Sequence, residues 1–258
     1  MIPSVRVTRY VTPLREGGSL PGIVEADDLG IYVCKFRGAG QGVRVLVAEV
    51  IVSELVRRIG LDTPRLVLLD LDPEIARYEA DEEVQDLLKA SAGPNLGVDF
   101  LPGAFGYDGQ HPPAPGLAER VLWLDAFCAN VDRSWRNPNL LIWHGDLWLI
   151  DHGASLYFHH GWAAGVSDPE RFAAQPWDGS DHVLRDSADY GAADVADVDR
   201  ELRGLLDESL LAEVVAEVPD VWLEPAPGAA TPTELRSAYV AFLTARLSSR
   251  DWLPGGGG

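Results

Sequence analysis

Two aspartates, Asp132 and Asp151, stand 19 positions apart in the stretch Asn130 to Gly153, NVDRSWRNPNLLIWHGDLWLIDHG, with two asparagines, Asn137 and Asn139, between them. Transfer of a nucleotide's γ-phosphoryl group asks little covalent chemistry of a protein. It needs a divalent cation held by carboxylate and amide oxygens, and a carboxylate beside the attacking hydroxyl. These residue types suit that division of labour: Asp132 would orient the hydroxyl, and Asp151 would hold Mg²⁺ together with one of the asparagines. Taken singly, each reads as ordinary turn composition, and Asn-Pro-Asn is a common turn sequence. The ordered combination carries the reading.

The flanking sequence must bring these groups together. Leu117 to Ala129 is apolar at Leu117, Val121, Leu124, Ala126, Phe127 and Cys128, with Glu119, Arg120 and Asp125 elsewhere, which predicts an amphipathic helix. It ends in a polar loop, Asn130 to Pro138. Two short apolar runs, Leu140 to Trp143 and Leu147 to Ile150, surround His144-Gly145-Asp146 and predict a hairpin. Asp132 precedes this hairpin and Asp151 closes it, so strand ends would deliver both carboxylates to one cleft.

A second group of residues lies about a hundred positions earlier. Lys35 and Lys89 are the only lysines, and 19 of the 21 basic residues are arginines. Lys35 ends the β-rich run Gly30 to Phe36, where its point-charge ammonium on a flexible stem suits nucleotide phosphates. A strand lysine facing solvent is the plainer alternative. Val43 to Ile59 carries apolar residues at Val47, Val50, Ile51, Leu55 and Ile59, with Gly60 as a stop, and predicts a helix bearing Glu49 and Glu54. Either would pair with the lysine, and spacing favours Glu49. A solvated helix face accounts for them otherwise. Two glycine clusters compete to cover phosphates: Gly17-Gly18-Ser19, between two predicted strands, and Gly38 to Gly42 after Lys35. Neither is a Walker A loop, and topology favours the first.

These motifs, in this order, resemble the HipA-like kinase family, whose fold resembles that of protein kinases and, more distantly, phosphoinositide kinases. The matching features are Lys35 on its strand, Glu49 near the start of the following helix, the turn Ile59-Gly60-Leu61-Asp62-Thr63-Pro64, and Asp132 and Asp151. The fifth position after a catalytic Asp selects Asn137 as metal ligand, and the position directly before an apolar strand selects Asn139. Both stay candidates. The sequence departs from the protein-kinase pattern at His152, where Asp-Phe-Gly would have Phe, and at Asn130-Val131, where His-Arg would precede the Asp. The resemblance implies an α+β, bilobal protein-kinase-like fold: a small β-rich N-lobe with one helix (1–71), a larger, mainly helical C-lobe (72–254) and a tail (255–258). It implies ATP and Mg²⁺ as cofactors, with adenine meeting a hinge at Leu69, Asp70 and Leu71. A protein Ser/Thr acceptor is the first expectation. A metabolite or antibiotic phosphotransferase and a nucleotide-binding pseudokinase are the alternatives. No counterpart of the extra N-terminal domain of longer HipA proteins is read, so a short stand-alone form is expected.

Composition bounds the partners. A formal charge of −19 and a pI near 4.5 argue against nucleic acid or an anionic membrane, both of which reward clustered Lys and Arg. Cys34 and Cys128, each in an apolar run, read as buried free thiols, and no signal peptide or membrane-length run is seen, so a cytoplasmic setting is expected. The six histidines lack zinc spacing. Gly93 to Gly116 reads as a Pro/Gly-rich excursion, and Val166 to Ala193 as an aperiodic loop where an activation segment would fall. Val195 to Val218 and Pro232 to Leu247 carry helical patterns, joined by a linker at Pro225 to Thr231.

Overall fold

The first hundred residues build a closed barrel of five strands. A computed structural model describes residues 2–14, 20–40, 42–188 and 192–253. Strands β1 (Ser4–Pro13), β2 (Gly22–Ala26), β3 (Ile31–Lys35), β4 (Leu66–Leu71) and β5 (Gly93–Asp99) close in the order β1-β2-β3-β5-β4, through a parallel β1–β4 pairing of Ser4 with Leu68 and Arg6 with Asp70. Each strand therefore has a neighbouring strand on both sides. Val7, Val24, Tyr32, Cys34, Val67, Leu69 and Leu71 fill the interior. Gly97 on β5 faces Val67 and Leu69 so closely that a Cβ would sit 2.5 Å from Val67 Cγ2.

Between β4 and β5 a 3-10 helix (Pro73–Tyr78) and helix α2 (Glu82–Ala90) pack on the barrel, Asp81 capping α2 through the amides of Glu83 and Val84. The chain forms two compact units, and this first one comprises residues 1–47 and 64–102. This unit extends past Leu71, where the lobe boundary is expected, to residue 102. β5 pairs with both β3 and β4, so Gly93 to Asp99 belongs to the barrel and not to an excursion leading out of it.

The second unit comprises residues 48–63 and 103–258. Helix α1 (Val43–Arg58) runs from the first unit into it, and its last turn, with Arg57 and Arg58, suits the negative helix end. Helix α3 (Leu117–Cys128) is buried along nearly its whole length, with Trp123, Phe127 and Trp252 in mutual ring contact. It ends at Ala129 in a left-handed conformation (φ 52°). A three-stranded sheet in the order β6-β7-β8 follows, from β6 (Phe105–Gly106), β7 (Leu140–Trp143) and β8 (Asp146–Leu149).

Helices α4 (Pro169–Ala173), α5 (Ala192–Leu205), α6 (Glu208–Ala216) and α7 (Pro232–Ser248) complete the unit. The helical pattern expected over 195–218 is two helices, because Asp207 breaks the run and caps α6 through the Leu210 amide. Arg246 of α7 is buried and donates to the carbonyls of Phe172 and Ala126, tying α4 and α3 to α7. Burial lowers its pKa to about 10. Cys34 and Cys128 are both free and buried, and burial raises both thiols, which makes them unreactive.

Candidate active site

The loop after α3 is built around Asp132. The Asp132 amide donates to Asn130 Oδ1 at 3.0 Å, Asn137 Nδ2 donates to its carboxylate at 2.8 Å, and Asn139 Nδ2 donates to its main-chain carbonyl at 3.0 Å. The two asparagines thus do different work. Asn137 is exposed and touches the carboxylate, whereas Asn139 is buried and holds the backbone.

Beneath this loop lies a network the sequence reading did not find. Asp125, placed off the apolar face of its helix by periodicity, has no exposed side-chain surface. It accepts from Asn130 Nδ2 at 2.9 Å, Arg133 Nε at 2.6 Å and His182 Nε2 at 2.9 Å. Burial pushes the Asp125 carboxyl up, but the Arg133 charge and the hydrogen bond from His182 outweigh it and hold the group well below the usual carboxylate range. Arg133 Nη1 reaches the carbonyls of both Asn139 and Ile150, and Nη2 lies 3.3 Å from His152 Nδ1. A planar fork of five donors is suited to such a junction. The one visible signal was an Asp seven positions before Asp132 and an Arg directly after it.

This junction explains how Asp151 arrives. The Ile150 amide donates to the Asn139 carbonyl at 3.1 Å, so the hairpin closes with Asn139 and Ile150 opposed and Asp151 next in line. Downstream, the Leu156 amide donates to the Cys128 carbonyl at 2.9 Å and returns the chain to the end of α3. Asp151 is exposed, and both Asp151 (φ 54°) and Asn139 (φ 50°) are left-handed, a region that Asp and Asn enter more readily than other residues with a side chain. Asn137 and Asn139 are thus bonded to Asp132 within one loop, and Asp151 follows Ile150, whose carbonyl Arg133 ties to that loop. β8 is further tied to the residues after α1 by the Leu149 amide donating to Asp62 O at 2.8 Å. Burial and the neighbouring Asp146 raise the Asp62 carboxyl.

The other candidates are placed as follows. Glu49 is buried in α1, which removes the solvated-face explanation, while Glu54 is bound to Arg57 at 2.5 Å. Lys35 is half-buried at the end of β3, in register with Leu96. Gly17, Gly18 and Ser19 lie outside the described residues. In the competing cluster Gly38 packs against α2, where a Cβ would come within 2.8 Å of Ala90 and Ser91. Of the residues expected at the hinge, Asp70 is exposed. Leu69 and Leu71 fill the barrel core and β4 pairs with β5, so the strand that leads out of the first unit is β5, with Phe100 to Pro102 after it. Among the described residues no three His, Cys, Asp or Glu side chains are grouped as ligands of a metal, and no helix is long and apolar enough to cross a membrane.

The five-stranded barrel and the helical unit carrying a loop-and-hairpin carboxylate pair form a kinase-like α+β architecture. The model of the HipA-like kinase family matches residues 7–253, and the chain belongs to that family. The Helicobacter pylori proinflammatory kinase CtkA is similar in structure, with TM-score 0.50 at 11% identity, covering 96% of this chain and 100% of that one. The Golgi casein kinase with Mn/ADP bound aligns at TM-score 0.42 and 12% identity, over 97% of this chain and 74% of that one. At these identities the likeness concerns fold alone. No curated protein matches the chain.

Proposed function

We propose that this kinase moves the γ-phosphoryl group of ATP, with Mg²⁺, to the hydroxyl of a protein serine or threonine. Asp132 orients the acceptor hydroxyl and takes its proton, and Asn137, hydrogen-bonded to that carboxylate, fixes its rotamer. Asp151 and an asparagine supply hard oxygen ligands of the kind Mg²⁺ prefers. Asn137 suits this better than Asn139, because it is exposed and contacts the Asp132 carboxylate, whereas Asn139 is buried and holds the Asp132 backbone. An ion held by these residues would supply charge neutralisation on the transferred group. Lys35 binds phosphate and Glu49 orients it. The glycine loop at Gly17, Gly18 and Ser19 covers the phosphates, and the backbone after β5, in place of Leu69 to Leu71, meets adenine. The expected cytoplasmic setting belongs to the same reading.

The observation that carries this proposal is the Arg133 guanidinium bound to the carbonyls of both Asn139 and Ile150, since it fixes the loop holding Asp132 against the hairpin end that presents Asp151. Transfer of labelled phosphate from MgATP to a library of Ser/Thr peptides tests it, with Asp132→Asn as comparison. Peptide labelling lost in the variant supports the reading. Equal labelling by both proteins removes Asp132 from its role, and labelling confined to small hydroxyl compounds would move the acceptor to the metabolite class.

A further inference from the structure

The segment Trp177–Leu184 crosses the catalytic loop and bonds to it on both sides of Asp132. Trp177 Nε1 donates to the Asn130 carbonyl at 2.7 Å, and the Val183 amide donates to the Arg133 carbonyl at 3.1 Å. His182 forms a bridge with Ser134 and reaches Asp125 with Nε2 at 2.9 Å, while its Nδ1 accepts the Leu184 amide at 3.1 Å. That acceptor role places the ring proton on Nε2, aimed at the Asp125 carboxylate. The Trp177 ring meets the His182 ring edge-on at 5.9 Å. Gly179 makes the intervening turn possible, since a Cβ there would lie 2.4 Å from the Trp177 ring. His182, Val183 and Leu184 are all buried.

These bonds converge on the residues that set the Asp132 backbone. Asn130 offers its side-chain oxygen to the Asp132 amide while its carbonyl is held by Trp177. Arg133 is held by Val183 through its backbone and by Asp125, itself bound to His182, through its guanidinium. We infer that Trp177 and His182 are positioning residues for Asp132, and that the 177–184 segment is a strap that keeps the catalytic loop in its productive geometry. The inference rests on the role proposed for Asp132. Neither residue touches the reacting atoms, so both act through Asn130 and Asp125.

Three variants separate the bonds from the shapes. Trp177→Phe removes the donor and keeps a ring, His182→Asn keeps an acceptor for the Leu184 amide but withdraws from Asp125, and His182→Gln keeps a donor with the reach for Asp125. ADP formation from MgATP is followed with the Ser/Thr peptide library as acceptor, and backbone hydrogen exchange is followed in peptides spanning 130–139. Trp177→Phe and His182→Asn should lower kcat by about tenfold to a hundredfold, as expected for a displaced catalytic group. KM for ATP should stay within about twofold, because uniform binding is untouched. Exchange should quicken over 130–134, and His182→Gln should recover part of both effects. Wild-type exchange over 130–139 in Trp177→Phe and His182→Asn overturns the strap, whatever the activity. A rise in KM with unchanged kcat overturns it too. Asp132→Asn, assayed alongside, separates the two claims. If that variant stays active the catalytic assignment fails, while exchange still judges the strap.

Discussion

Arg133 and Asp125 form an ion pair, Nε to Oδ2 at 2.6 Å, in which neither side chain has any exposed surface. A buried pair of this kind adds little net stability, but removing one member leaves an uncompensated charge in the interior. Arg133→Met should therefore destabilise the protein by about 3–5 kcal/mol, read as a lower midpoint in urea unfolding. A change within about 0.5 kcal/mol, the range of ordinary surface substitutions, would show that the junction is dispensable.

The same pair sets an acid dependence. The folded-state pKa of Asp125 is depressed, so its contribution is present at neutral pH and is lost as pH falls below the unfolded value of about 3.9 and on through the folded one. Thermal melts between pH 7 and pH 3 should show the wild type losing stability towards the acid end. Asp125→Asn should start lower at pH 7 and lose less over the same interval. Parallel curves for the two proteins would contradict this.

The two asparagines should behave as opposites. Asn139→Ala, at a buried site, leaves the part-buried carbonyl of Asp132 without its donor and should cost about 1–3 kcal/mol of stability. Asn137→Ala, at an exposed site, should leave stability within about 0.5 kcal/mol while lowering Mg²⁺-dependent phosphate transfer. Denaturant titration and the transfer assay on both variants distinguish the two roles.

What the sequence revealed and what it hid follow from how each element is stabilised. The β7–β8 hairpin was legible because its two apolar runs and its turn are local, with His144 (φ 53°) and Gly145 (φ 95°) both left-handed as a tight hairpin connection demands. β5 was not legible. Gly93, Pro94 and Gly97 are loop residues by composition, and the strand exists because β3 and β4 pair with its two edges and Gly97 yields room to Val67 and Leu69. Asp132 and Asp151 could be picked out from residue type and spacing, but Asp125 and His182 could not, since a polar residue's burial is decided by partners distant in the chain, here 57 positions apart.

The central claim is that Asp151 holds the metal that accompanies ATP, and calorimetric titration of ATP with and without Mg²⁺ tests it most directly on the wild type and Asp151→Ala. The wild type should bind ATP more tightly with Mg²⁺ than without, and Asp151→Ala should lose that difference while keeping its fold. Metal-dependent binding that survives intact in Asp151→Ala, or no ATP binding by the wild type, would contradict the account.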